Sequence, residues 1–204
     1  MPTAKSSNPV GRPKQLDLNQ LLNIAVEQFW RHGYQGTSLR HIASAANMTT
    51  GALYSTYKDK DALFIAALEH YINTVIKPRV DNILLTENDH SPVERIRYFL
   101  SSSVIGLPKS IAHQACLLVN SNIEFSGATA NHTVHTTIRT GLKYIEKGLL
   151  HQLSQQTTTQ PQSALVQIQI FMTGLLLTAK AQGQEQVLSQ AIDQFIHNTF
   201  RTQQ

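Results

Sequence analysis

The sequence predicts an all-α protein: an N-terminal three-helix unit containing a helix-turn-helix, followed by a helical bundle. Three observations lead there. Apolar residues recur at three- and four-residue spacing through most of the 204 residues, and no stretch alternates in the manner of a strand. Between Thr37 and Tyr57, TSLRHIASAANMTTGALYSTY, two short amphipathic runs are separated by a tight turn. Pro161 to Ala181 is apolar on nearly all sides with Lys180 its only charge, wider than the stripe a surface helix requires.

In chain order, residues 1–15, MPTAKSSNPVGRPKQ, hold three prolines and neither an aromatic nor an acid, so a disordered basic arm is expected. From Asp17 to His32, Leu18, Leu21, Leu22, Ala25, Val26 and Phe29 mark a first helix, which Gly33 ends; Trp30 beside that stripe reads as an edge-packing residue, and Tyr34 to Gly36 as a turn. Thr37 or Ser38 caps the second helix, whose Leu39, Ile42, Ala43 and Ala46 face inward while Ser38, Arg40, His41 and Ser44 face away. Asn47 tolerates the left-handed conformation of a helix end, and Thr49 or Thr50 caps the third helix. There Leu53 and Tyr57 point inward, leaving Thr50, Gly51, Tyr54 and Ser55 outward with no acidic group among them. Such a surface suits an anionic partner.

Beyond Lys58-Asp59-Lys60 a long helix is expected from about Asp61 to Lys77, with Pro78 kinking or ending it. Ser91-Pro92-Val93-Glu94 spells a capping box for a helix to about Ile105. Further helices are expected over Gln114 to Phe125, Ala130 to Gln155, Pro161 to Ala181 and Glu185 to Arg201. The division is then 1–15 arm, 16–60 helix-turn-helix domain and 61–204 helical domain.

The run from Ala25 to Tyr71 resembles the DNA-binding domain of the TetR-type (TetR/AcrR) transcriptional regulators. The features are Phe29, Gly33-Tyr34, Gly36-Thr37-Ser38, Ile42-Ala43, Ala46-Asn47-Met48, Leu53-Tyr54 and Lys58-Asp59-Lys60-Asp61-Ala62-Leu63. The resemblance covers about the first third of the chain. It implies a homodimer joined through its last two helices, a palindromic double-stranded DNA operator, and a ligand-binding C-terminal domain whose occupant, an unknown small-molecule or electrophile effector, releases the DNA. Repression is the family's habit.

The resemblance and the residue chemistry combine into expected roles. Arg40 is the candidate for a bidentate bond to guanine, and Thr50 and Gly51 for close approach to base edges. Thr37, Ser38, Tyr54 and Lys60 look like the family's phosphate contacts. Arg12, in a basic arm beside the reader, is placed for the minor groove, the alternative being a solubilising tail. Phe99, Cys116, Asn120, Phe125, Phe171 and Met172 are candidates for the ligand pocket, with plain core packing as the competing reading. Cys116, with Lys180 in a later helix, looks like the pair found in an electrophile- and oxidant-sensing branch; the plainer reading of Cys116 is a small buried hydrophobe.

Charge agrees with this placement. Residues 1–66 have a net charge of +3 and residues 67–204 of +1, so the excess lies beside the reader. One cysteine excludes an intrachain disulfide framework, and of nine histidines only His132 and His135 share a helical face, so neither a metal nor a cofactor is expected. The apolar runs look too broken for a membrane span and no apolar leader begins the chain, hence a cytoplasmic protein without a membrane partner is expected. No phosphate loop, nucleophile elbow or paired-carboxylate pattern supports an enzyme. The alternative function is a non-specific, nucleoid-type DNA-binding protein.

Overall fold

The structure, a computed structural model, describes residues 17–87, 89–107, 114–126, 131–156, 160–182 and 184–200. The arm over residues 1–15, with Arg12, lies outside them. Among the described residues all regular structure is helical.

Helix α1 (Leu18–Gly36) buries Leu21, Leu22, Ala25 and Phe29, and its regular part stops at Gly33, where φ 72 and ψ 173 are open to glycine alone. Leu18, expected in the apolar stripe, is 52% exposed because it stands at the first residue, beyond the reach of the neighbours that cover the rest. Helices α2 (Leu39–Ala45) and α3 (Thr50–Thr56) form the helix-turn-helix. Helix α4 (Lys60–Tyr71) starts at Asp59, whose carboxylate accepts the Ala62 N–H at 2.8 Å.

Pro78 neither ends nor visibly breaks the helical path. After α4 it continues through a π-helical stretch (Ile72–Ile76), α5 (Lys77–Val80) and a second π-helical stretch (Asp81–Leu85). Proline lacks an N–H and crowds the carbonyl four residues back. A stretch of i→i+5 bonding just before it absorbs that mismatch, and burial of Ile72, Ile76, Val80 and Leu84 holds the segment in place.

Helix α6 (Pro92–Ser101) opens with the expected capping box: the Ser91 Oγ accepts the Glu94 N–H at 3.3 Å, and the Glu94 carboxylate accepts the Ser91 N–H at 2.8 Å. It is a turn shorter than expected, giving way to turns before Gly106 at φ 71. Helix α7 (Leu117–Glu124) is also shorter, since Ala115 takes φ 57 and Cys116 becomes the N-cap. Helices α8 (His132–Ser154), α9 (Pro161–Gln182) and α10 (Glu185–Phe200) complete the bundle.

Helix α8 is packed closely on two sides through its glycines. A Cβ on Gly141 would stand 2.6 Å from a Leu118 methyl, and one on Gly148 would stand 2.7 Å from a Val80 methyl. Helix α9 corrects one sequence expectation: by length and composition, 161–181 is apolar enough to cross a membrane, with mean hydropathy 1.4. Gln162, Ser163, Gln167, Gln169 and Thr173 interrupt its apolar runs without lowering the average enough. In the bundle about a third of that window is buried. Val166 (51% exposed), Ile170 (69%) and Leu177 (42%) lie bare along one side, with Val187 of α10 also exposed at 53%.

Candidate nucleic-acid interface

Local chemistry sets the reader. Ser38 caps α2 by accepting the His41 N–H at 3.2 Å, and Thr49 caps α3 by accepting the Ala52 N–H at 3.1 Å. Between them Asn47 sits at φ 51, the left-handed turn its side chain tolerates. Leu39, Ile42, Ala43, Ala46 and Leu53 are buried, with α2 packed against both α1 and α3. Each cap contributes about 1 kcal/mol. The outward face is then determined by phase: Ser38, Arg40, Gly51 and Tyr54 are exposed and Thr50 is half-buried, with no acid between Thr37 and Lys58. A Cβ on Gly51 would meet nothing within 4 Å, so this face is open. Ser55 and Thr56 donate their hydroxyls to the Ala52 carbonyl, at 2.7 and 3.2 Å.

Thr37 is a correction. The residue is 2% exposed, and its hydroxyl lies 2.7 Å from the Gly33 carbonyl and 3.2 Å from that of Gln28. It fastens the end of α1 to the start of α2, and it has no donor left for a phosphate. Lys60 is half-buried, its ammonium 4.2 Å from the centre of the Tyr34 ring; burial lowers its pKa, against the pull of Glu124 and Asp61.

The reader is tied to the bundle by residues that no short-range pattern reveals. The Glu124 carboxylate, at the end of α7, accepts the backbone N–H of Tyr34 at 2.8 Å and of Gln35 at 2.7 Å. Tyr34 donates its hydroxyl to Asp61, whose other oxygen accepts from the Asn131 amide at 3.0 Å at the start of α8. Burial, the hydrogen bond to Asp61 and nearby carboxylates all push the Tyr34 phenol well above its ordinary range. Around it Phe29, Phe64 and Phe125 pack ring on ring, with Phe125 5.0 Å from Tyr34 and 5.7 Å from Phe64. Trp30, as expected, packs at the edge of α1; its indole N–H points to the carbonyls of Ala115 at 2.8 Å and Gln114 at 3.1 Å, just before α7.

Beneath this junction lies a cavity of about 130 Å³. Of the six residues expected around a pocket, Phe99, Cys116 and Met172 line it. The other three do not. Asn120 gives its amide to the Gln114 carbonyl at 2.6 Å, Phe125 belongs to the aromatic cluster, and Phe171 stacks on Phe195 of α10 at 4.0 Å. Each is held by a packing or hydrogen-bond partner that sequence spacing does not disclose. Lys180 is exposed one turn past Leu176, the last residue of α9 on the cavity wall, so the structure does not place it beside Cys116 in this cavity. The Tyr71 hydroxyl lies 3.8 Å from the Cys116 sulfur. Arg79, which sequence spacing did not single out, lines the cavity too. His135 packs edge-on against Phe125, and no group of three potential metal ligands occurs among the described residues.

Residues 21–67 match the family model described as bacterial regulatory proteins, tetR family. An uncharacterised helix-turn-helix-type transcriptional regulator of Bacillus subtilis, YezE, is 33% identical over 118 residues, or 56% of this chain and 58% of that relative, so the likeness spans under two thirds of its length. A TetR transcriptional regulator from Legionella pneumophila superposes with a TM-score of 0.78 at 20% identity over 91% of this chain and 98% of that one. A cysteine-substituted CifR, a TetR family regulator solved on 26-base-pair operator DNA, has a TM-score of 0.75 at 20% identity over 91% and 98%. Residues 21–67 thus carry the sequence signature of the tetR family of bacterial regulatory proteins, and nearly the whole chain shares the all-helical fold of solved TetR-family structures.

Proposed function

We propose that this chain is a sequence-specific DNA-binding transcriptional regulator of the cytoplasm, a repressor that occupies a palindromic operator as a homodimer and leaves it when an effector enters the C-terminal cavity. The observation that carries the reading is the acid-free outward face of α2 and α3, where Ser38, Arg40, Gly51 and Tyr54 are exposed on helices whose opposite sides are fully buried. Arg40 reads guanine, Thr50 and Gly51 approach base edges, and Ser38, Tyr54 and Lys60 position the backbone. Arg12 adds a minor-groove contact from the arm. In this reading 16–60 is the DNA-binding domain, and 61–204 binds the effector and dimerises.

One helix-turn-helix binds weakly, and two readers need half-sites about 34–36 Å apart. The bare stripe of Val166, Ile170 and Leu177 on α9, with Val187 on α10, supplies a self-complementary apolar face for the two-fold. Helix α7 runs from Cys116 at the cavity to Glu124 at the reader, so an occupant that displaces α7 alters the reader's setting. A coupling of about 1–3 kcal/mol changes DNA affinity roughly 5- to 150-fold.

DNase footprinting of the dimer on the DNA flanking its own coding sequence tests this. Two protected half-sites related by a dyad support it, and even protection along the whole fragment supports the nucleoid-type alternative. Alanine at Arg40 and Tyr54 is expected to weaken operator binding by about 1–3 kcal/mol for the base contact and less for the phosphate contact.

A further inference from the structure

We infer that the cavity takes a small organic monoanion, a carboxylate on an apolar body of about one ring, with Arg79 as its counter-charge. This deepens the effector reading given above. Arg79 is mostly buried, and among the described residues its Nη2 donates to neutral acceptors: the Phe99 carbonyl and the Ser102 and Ser103 hydroxyls. Its Nε–H is buried without an acceptor. All thirteen acids of the chain are among the described residues, and the ion pairs there join Arg31 to Glu27 and Arg97 to Asp193. Among the described residues, therefore, no side-chain carboxylate balances the Arg79 charge.

A guanidinium taken out of water without a counter-ion is a liability; the Phe99 ring face, 4.3 Å away, offsets part of it, and a bound anion removes the rest. Burial pulls the Arg79 pKa down, although a guanidinium retains its proton in any accessible pH range. The rest of the wall selects the body of the ligand: Trp30, Val119, Ile145, Met172 and Leu176 are apolar. The cavity measures about 130 Å³, below the roughly 150 Å³ of apolar space that accommodates one benzene, so a single ring is the upper limit on the apolar body. Among the described residues the lining holds one cation and mostly apolar side chains, which disfavours inorganic phosphate, whose second charge would go unmatched. Among the described residues the internal competitors on the same wall are the Cys116 sulfur and the Tyr71 hydroxyl bonded to it, either of which, if deprotonated, would itself balance Arg79.

The test uses the full chain and the fluorescence of Trp30, its one tryptophan, which lies on the cavity wall. Benzoate is titrated beside benzamide, its neutral analogue, and inorganic phosphate. Benzoate should saturate the signal, benzamide should bind at least about tenfold more weakly, and phosphate should give no response, since a hydrogen bond to a charged group exceeds a neutral one by at least that factor. Arg79→Met should bring benzoate down to the benzamide level, Arg79→Lys should retain the preference, and Cys116→Ser should leave it unchanged. Equal binding of benzoate and benzamide overturns the inference, as does the absence of a saturable benzoate response. Tighter benzoate binding by Cys116→Ser also overturns it, because the arginine was then paired internally. The ratio of the two ligands on the unmodified chain decides the matter even where Arg79→Met fails to fold. Operator binding is measured separately by gel shift: its loss with the benzoate preference intact sinks the regulator reading alone, and the reverse pattern sinks this inference alone.

Discussion

Tyr34 carries more of the molecule than its place in a turn suggests. Its ring sits among Phe29, Phe64 and Phe125, its hydroxyl is bonded to Asp61, and its N–H is held by Glu124. Removing the hydroxyl leaves the Asp61 carboxylate with the Asn131 amide as its partner. Tyr34→Phe should cost about 1.5 kcal/mol at pH 7, the low end for a hydrogen bond to a charged group because the site is only half-buried. The pH dependence has a definite sign. A phenol whose folded pKa is raised holds its proton in the native state after the unfolded chain has lost its own, so the stabilisation is complete below the ordinary value of 10.0 and declines as pH rises past it. Burial raises Tyr57 and Tyr71 as well, so the unmodified protein should lose stability steadily above that pH, and Tyr34→Phe should lose less per pH unit. Urea midpoints measured across the alkaline range check both statements.

At the scale of elements, α7 and α8 decide how the reader is mounted. Glu124→Ala frees the two backbone N–H groups of Tyr34 and Gln35 beside the positive-φ Gly33. Their hydrogen exchange should accelerate by about tenfold, the equivalent of a lost bond of about 1.4 kcal/mol, with little change in α10. Uniform acceleration throughout the chain would instead mean that Glu124 serves global stability. In α8, Gly148→Ala gains about 1 kcal/mol in helix propensity but forces a Cβ to within 2.7 Å of a Val80 methyl. Val80 is buried and β-branched, with little freedom to turn aside, so overpacking of about 1–3 kcal/mol outweighs the gain and the melting temperature should fall. These elements also mark the limits of sequence reading. The Ser91 box, the Gly33 stop and the Asn47 turn were legible because each signal lies within four residues of its effect. Pro78 does not end the helical path, because cover from α8, where Gly148 admits Val80 and Leu84, holds the segment while the π-helical turns beside it absorb the lost bond. Thr37 looked like a surface hydroxyl in a polar run, and only the fold of α1 over it reveals its burial. Glu124 and Tyr34 stand 90 residues apart, a separation over which no periodicity speaks.

At the scale of the molecule, the reader, the cavity and the bare side of α9 form one sequence of cause and effect only if two chains associate. Ile170 is the sharpest probe of that step. It is 69% exposed and lies between Val166 and Leu177 on the uncovered side. A surface substitution there should move the stability of a lone chain by no more than about 0.5 kcal/mol. In a two-fold interface the same change acts twice, and each glutamate of Ile170→Glu would be an unpaired buried charge, costing about 3–5 kcal/mol per site. The two environments therefore predict opposite outcomes for one substitution. Sedimentation equilibrium at micromolar concentration should give twice 22.7 kDa for the unmodified chain and 22.7 kDa for Ile170→Glu. Helical circular dichroism should persist, and the concentration dependence of the melting temperature should disappear. Operator protection should be lost with it, since a single reader spans one half-site. An Ile170→Glu protein that stays dimeric would place the two-fold on another face and leave the α9 stripe without a role in assembly.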